Sequence, residues 1–378
     1  MTKASHSPEA RVGCLIEKVN AAASDENRRR MAACPRISFG IEEPIAWTLI
    51  HGLDVPRYFS EPLYYAEQTL HQKLWRWETF QDDGAPIEAS LPAALGFYPE
   101  YTYAGLSVEY TERGVPNIQA DHPMSRDPDL RHLSPVDFRL SGWMPRALRW
   151  HEELQRVADG RIHVPFAMTW WRGCLDLAVQ LRGYEAFIAD TSERPAFLHR
   201  LLSFLVEQRC GWWEGYYRRF GEQVAPTAVS DDWINVPFIS PGIFRDFVLP
   251  RYLEIERFHG GISSIHSCGN QAPVQRFLLR IGSLPGLEVS PWTDLDQSLE
   301  NIPADRELWI ALHPNDVLCA SPSQMERKLS SILERCRGRK FTIGTSGLTP
   351  LTQDIDEFAG RIRTWTAIAR RLRETGGW

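Results

Sequence analysis

Residues 261–270 read GISSIHSCGN, and the reading of this stretch decides the architecture. Its first half, Gly261 to His266, is a short glycine-bounded run holding Ile262 and Ile265, which predicts a strand. Its second half, Ser267-Cys268-Gly269-Asn270, is turn chemistry. On either side stand Pro241 to His259 and Ala272 to Ile281, whose apolar spacing predicts helices. A strand framed by two helices is one unit of a parallel crossover fold.

Outward from this unit the alternation continues. Upstream, Ile162 to Trp170 (IHVPFAMTW) reads as a strand, Leu175 to Ala189 and Pro195 to Phe220 as helices, and Val224 to Ser230 as a strand ending in Asp231-Asp232-Trp233. Downstream, Leu287 to Ser290, Leu308 to His313 and Lys340 to Thr345 read as strands. Ser323 to Arg337 reads as a helix, and Asp354 to Arg373 as a closing helix. An open doubly wound sheet and a closed barrel both fit this pattern. No strand is followed by a Gly-rich G-x-G-x-x-G or G-x-x-x-x-G-K-[ST] loop, so the main sign of a nucleotide-binding sheet is missing. Residues 1–80 read as a helical extension and 81–378 as the α/β unit. Within the latter, Pro86 to Tyr98 is expected to supply a first strand and loop, and 99–135 an insertion or pocket-covering loop.

Composition narrows the function classes. A net charge of −6 disfavours a nucleic-acid partner. The one basic run, Arg28-Arg29-Arg30, reads as a solvated helix end. Seven cysteines scattered along 378 residues do not form a disulfide framework, so a reduced, cytoplasmic compartment is expected. No apolar stretch approaches the roughly 20 residues needed to cross a bilayer. Aromatic residues crowd the 58–110 region (Tyr58, Tyr64, Tyr65, Trp75, Trp77, Tyr98, Tyr101, Tyr103), and two readings stand: an aromatic substrate or a homodimer contact.

Chemistry is expected where strands end. His266-x-Cys268 lets an imidazole nitrogen and a sulfur point at one centre, and zinc accepts both; the alternative is a buried pair at a strand end. Asp231 and Asp232 read as acid/base groups, as ligands or as helix caps. Glu288, between Leu287 and Val289, is either buried with a cationic or metal partner or turned outward. Arg172 reads as a contact for an acidic substrate group or as a surface ion pair. Trp170, Trp171, Trp233 and Trp292 are candidates to line an apolar pocket. Asn315, in His313-Pro314-Asn315-Asp316, reads as a substrate contact or a turn residue.

Several of these segments together resemble the uroporphyrinogen decarboxylase superfamily. They are Ile239-Ser240-Pro241-Gly242-Ile243-Phe244 through Leu249-Pro250, His259-Gly260-Gly261, Ile265 to Asn270, and Gly344-Thr345-Ser346-Gly347-Leu348-Thr349-Pro350. Asp231-Asp232, Pro165-Phe166, Leu181-Arg182-Gly183 and Asn315-Asp316 fit as well. The resemblance covers roughly residues 160–370 and is nearest to the zinc-dependent, corrinoid-linked methyltransferases. It implies a (β/α)8 TIM barrel with its site at the strand C-termini. It also implies a zinc held by His266 and Cys268 that activates a thiol, with the methyl group carried by a corrinoid on a partner protein.

Two departures stand out. Ser346 occupies the position of the family's later cysteine ligand, and serine is a poor zinc ligand. Glu288 is the candidate in its place, because the distantly similar cobalamin-independent methionine synthases use a Glu on the strand after their His-x-Cys. The Arg-rich segment with which the decarboxylase branch grips its tetrapyrrole is missing. Three readings follow: a zinc-dependent methyltransferase using His266, Cys268 and Glu288; a metal-independent lyase using Asp231 or Asp232; and a non-catalytic ligand-binding barrel.

Overall fold

The computed structural model describes residues 7–24, 27, 38–80, 87–96, 99–112, 114, 116–118 and 121–376. Arg28-Arg29-Arg30 and Tyr98 lie outside them. The order of elements is the expected alternation from residue 160 onward. Strand β4 (Thr227–Ser230) pairs parallel to β5 (Ile262–His266), while β6 (Gly286–Val289), β7 (Glu307–Leu312) and β8 (Phe341–Thr345) form a parallel three-stranded sheet.

The expected strand at Ile162 to Trp170 is extended but pairs only at single bridges, His163 with Ser90 and Phe166 with Ala93. The reason is proline. Leu91 N and Ala93 N donate to His163 O and Pro165 O at 2.8 Å, but Pro165 has no N–H to return and Pro92 offers none to its other side. One further bridge, Arg172 with Ser230, ties this segment to β4.

The N-terminal region is helical as expected over Pro8–Ala22, Ile45–His51 and Pro62–Thr79. Between them the chain departs from that reading. Strand β1 (Gly40–Ile41) pairs parallel to β9 (Gly347–Leu348), and Ser38 N donates to Ile343 O at 3.3 Å. Pairing therefore runs in pieces, and among the described residues no ladder joins β5 to β6 or residues 38–41 to 90–93. A small antiparallel pair, β2 (Val108–Glu109) with β3 (Asn117–Ile118), stands apart.

One face of the sheet is oily. Leu287, Val289, Leu308, Ile310, Leu312 and Ile343 are buried, alternating with half-buried Glu288, Trp309, Ala311 and Thr342, as a pleated strand requires. Ile332 of the helix Pro322–Arg335 lies by Val289, Ile310 and Leu312, and that helix packs against Ile355–Gly376, which buries Phe358, Ile362 and Trp365. The aromatic residues of the 58–110 region belong to this interior. Tyr58, Tyr65 and Tyr101 are buried, and Tyr64, Trp75, Trp77 and Tyr103 pack against the core. Core filling accounts for the buried ones.

Three helices differ from their sequence reading, and one of them, Ala272 to Ile281, is a 3-10 turn at Ala272–Val274 running into a short helix at Gln275–Leu278. Leu175 to Ala189 divides into Cys174–Arg182 and Tyr184–Glu193 because Gly183 sits at φ 76°, where an L side chain is strained. Pro241 to His259 carries a π turn at Phe244–Val248, just before Pro250, which lacks the N–H to continue an α turn. No helix among the described residues is long and apolar enough to cross a membrane.

Candidate metal centre at the strand ends

Strands β4 and β5 end level with one another. Asp231 N donates to His266 O at 2.9 Å, so the Asp231-Asp232 pair meets the His266–Cys268 turn. Asp231 points inward and is fully buried. Its Oδ2 accepts from Tyr252 Oη at 2.8 Å and from Leu175 N at 3.2 Å. Burial first, then the charge of Asp176, push its pKa well up. Gly173 lies so close that a Cβ there would stand 2.1 Å from Asp231 Oδ2. Asp231 is thus a clamp between β4 and two helices, inside the wall.

Asp232 points the other way. Burial would raise its pKa, but the charge and hydrogen bond of Arg172, the Cys268 thiol and His266 outweigh it and hold the group below its ordinary value. Arg172 Nη1 donates to Asp232 Oδ2, to Asp176 Oδ2 at 3.1 Å and to Ser230 Oγ at 3.2 Å. The guanidinium is therefore committed to carboxylates within the protein, not presented to an incoming acid.

His266 has a separate partner on each ring nitrogen. Nδ1 lies 2.7 Å from Glu288 Oε2, while Nε2 lies 3.3 Å from Cys268 Sγ and 3.8 Å from Asp232 Oδ1. The hydrogen bonds with Cys268 and then Glu288 push the imidazole pKa up to about 10. Asp232, His266 and Cys268 each bring one donor atom within 4.8 Å of the others. Two ligands of a tetrahedral zinc lie roughly 3.3–3.8 Å apart, given bonds of about 2.0–2.3 Å. The spacings around Nε2 match that range, and carboxylate, imidazole and thiolate are all zinc donors, so the residues fit the ion. Glu288 takes the place expected of it only in part: it touches His266, but from the far side of the ring.

The other candidates lie elsewhere. Trp170 is 2 % exposed and packs on Tyr103 at 5.5 Å in the core. Trp233 stacks on Tyr184 at 5.2 Å, with Phe238 edge-on to it. Trp292 is exposed beside His313. Asn315 is exposed at the start of a short helix, and its Oδ1 faces Cys319 Sγ at 3.7 Å. Cys319 is exposed and Cys336 buried, and neither joins the cluster; the Ser346 N–H donates to Leu312 O. Sequence reasoning missed Asp176, Tyr252 and Glu100. Glu100 is fully buried on the short helix Pro99–Tyr103 and accepts from Arg172 N at 2.8 Å. The signal for Asp176 was faint: an acid three residues into an otherwise oily helix start.

Parallel strands alternating with helices, with titratable groups gathered where the strands end, define a crossover α/β protein with a strand-end site. The chain belongs to the uroporphyrinogen decarboxylase family, whose model, Uroporphyrinogen decarboxylase (URO-D), matches residues 96–356. Among solved structures it is similar to a methyltransferase from Methanosarcina mazei. The two are 17% identical with a TM-score of 0.61, over 90% of this chain and 93% of that one, a likeness of fold. No curated protein matches the chain.

Proposed function

We propose that this protein is a zinc-dependent methyltransferase built on a (β/α)8 barrel, with residues 1–80 as an N-terminal extension packed on residues 81–378. The barrel reading takes residues 38–41, 90–93 and 163–167 with β4 to β8 as its eight staves. The observation that carries the functional reading is the convergence of Asp232, His266 and Cys268 from two strand ends, within 4.8 Å. The family, and the methyl-transfer activity in the neighbour's description, support it.

In this reading Asp232 replaces Glu288 as the third ligand, and Ser346 is not needed. Glu288 holds Nδ1 of His266 at 2.7 Å, so Nε2 is the nitrogen turned toward Cys268 and Asp232, and a metal there would displace its proton. Arg172 keeps Asp232 ionised and fixes its second oxygen. Gly269 lets the loop pass against Asn235, whose Cγ would be 2.2 Å from a Cβ there. A bound zinc supplies Lewis acidity, lowering the pKa of a thiol acceptor so that the nucleophile exists at neutral pH. The methyl group arrives on a corrinoid held by a partner protein, and the acceptor is a small molecule. A metal-free lyase reading is weaker, because Asp231 is fully buried and Asp232 is bound to Arg172.

Metal content decides the matter. About one zinc per chain is expected in protein incubated with the ion and desalted, lost in Cys268→Ser and Asp232→Asn while circular dichroism stays unchanged. Wild-type protein that retains no zinc, or a Cys268→Ser variant that keeps it fully, would sink the reading. Methyl transfer from methylcobalamin to a thiol is the activity to follow.

A further inference from the structure

Cys268 sits on a loop, Ser267 to Gln271, that runs between the loops following β4 and β6. On the β4 side, Val236 N donates to Asn270 O at 3.0 Å. There too Asn235, which donates to Asp232 O, fills the space that a Gly269 side chain would need. This fit demands glycine beside the cysteine, and glycine leaves the backbone there supple. On the β6 side, among the described residues, no main-chain ladder joins the neighbouring strands.

Two hydroxyls hold the loop on that side instead. Ser290 Oγ donates to Gly269 O at 2.8 Å, and Gln271 N donates to Thr293 Oγ1 at 3.2 Å. The two hydroxyl oxygens are 2.9 Å apart, set side by side by a turn in which Thr293 N donates to Ser290 O at 3.0 Å. The Thr293 proton has Ser290 Oγ and, at 3.2 Å, Gly269 O within reach, so each hydroxyl both gives and receives. Ser290, Thr293 and Gln271 are buried, so deleting a hydroxyl leaves an amide or a carbonyl unmet where solvent does not replace it. The latched carbonyl belongs to the residue next to Cys268. Binding groups work only when held within roughly 0.5 Å of their geometry, which makes such a restraint consequential.

We infer that Ser290 and Thr293 are positioning residues. They form a two-hydroxyl latch that fixes the Gly269 end of the loop, and through it the Cys268 sulfur relative to His266 and Asp232. The inference rests on those three side chains being the metal ligands, and adds what keeps the sulfur in place.

The test compares Thr293→Val, which keeps the shape and deletes the hydroxyl, with Thr293→Ser, which keeps the hydroxyl. Hydrogen exchange at the Val236 amide is followed first, in metal-free full-length protein, because that amide donates to the Cys268 loop and is bonded to neither hydroxyl. Thr293→Val should speed it about tenfold and Thr293→Ser should leave it as in the wild type, with the Ile310 amide inside the sheet unchanged in both. In competition with a chelator, zinc affinity should fall roughly tenfold in Thr293→Val and return in Thr293→Ser. With cobalt loaded in place of zinc, the thiolate charge-transfer absorption should weaken in Thr293→Val alone. Ser290→Ala, read in the same way, serves if Thr293→Val does not fold. Exchange or zinc affinity unaltered by loss of the hydroxyl, or altered as much in Thr293→Ser, overturns the proposal. Wild-type protein that takes up no zinc removes the ligand reading, and exchange at Val236 then decides the latch by itself.

Discussion

His266 shows how much one side chain's orientation decides. Its two nitrogens face a carboxylate on one side and a thiol with a second carboxylate on the other. A carboxylate behind a ligating imidazole fixes its tautomer and raises its basicity, and losing such a partner costs roughly 10–100-fold in metal affinity. Glu288→Gln is therefore expected to weaken zinc binding by about that factor in competition with a chelator, without abolishing it. Complete loss of zinc, as expected for Cys268→Ser, would return Glu288 to the ligand set. The His-x-Cys pair was legible because its two members are neighbours in the chain. The choice between Asp232 and Glu288 was not. Both follow or sit on adjacent strands, and only the turn of the imidazole ring separates a ligand from the group behind it. Ser290 and Thr293 were equally hidden, since hydroxyls in a turn after a strand give no sign of the loop they hold.

At the scale of elements, the site depends on how closely the stretch before the helix Cys174–Arg182 approaches β4. Gly173 N donates to Ser230 O at 2.7 Å, and a Cβ at Gly173 would meet Asp231 Oδ2 at 2.1 Å and Tyr252 Oη at 2.6 Å. Both neighbours are buried and bonded to each other, so neither can yield freely. Gly173→Ala should cost about 2–3 kcal/mol, in the range of overpacked interiors. The midpoint of urea unfolding reads this directly, and a shift under about 0.5 kcal/mol would mean the clamp is slacker than described. Element types were readable because apolar periodicity survives in a single sequence. Element ends and ladders were less so. Gly183 divides a helix whose apolar pattern runs on unbroken, and Pro92 and Pro165 leave an extended segment with only isolated bridges.

For the whole molecule, the buried charges set a dependence on pH. Glu100 lies between the helix Pro99–Tyr103 and the backbone of Arg172, and burial pushes its pKa from 4.5 up to about 7. The folded chain then binds more protons than the unfolded chain between those values. Stability from this group is fully present below pH 4.5 and is lost as pH rises through 7, by up to about 3 kcal/mol. Glu100→Gln should flatten the fall in melting temperature between pH 5 and 7.5 relative to the wild type; an unchanged slope would show that Glu100 titrates normally. Nothing in the sequence marked Glu100, because the aromatic, proline-rich stretch around it reads as a loop and its partner lies 72 residues away. The alternation of the larger fold needed no such distant information, and it was plain from residue 160 onward.

The gap between β5 and β6 has a consequence of its own. Along β6, β7 and β8 the strands are joined by peptide groups, which are identical whatever the side chains. Between β5 and β6 the described links are side chains: His266 to Glu288, and the Ser283 hydroxyl to Ile262 N. Heredity can rewrite a joint of that kind one codon at a time, whereas a peptide ladder is closed to it. The seam that borders the metal-ligand cluster is thus also where drift among descendants of this chain can reset the width of the opening while the rest of the sheet stays as it is.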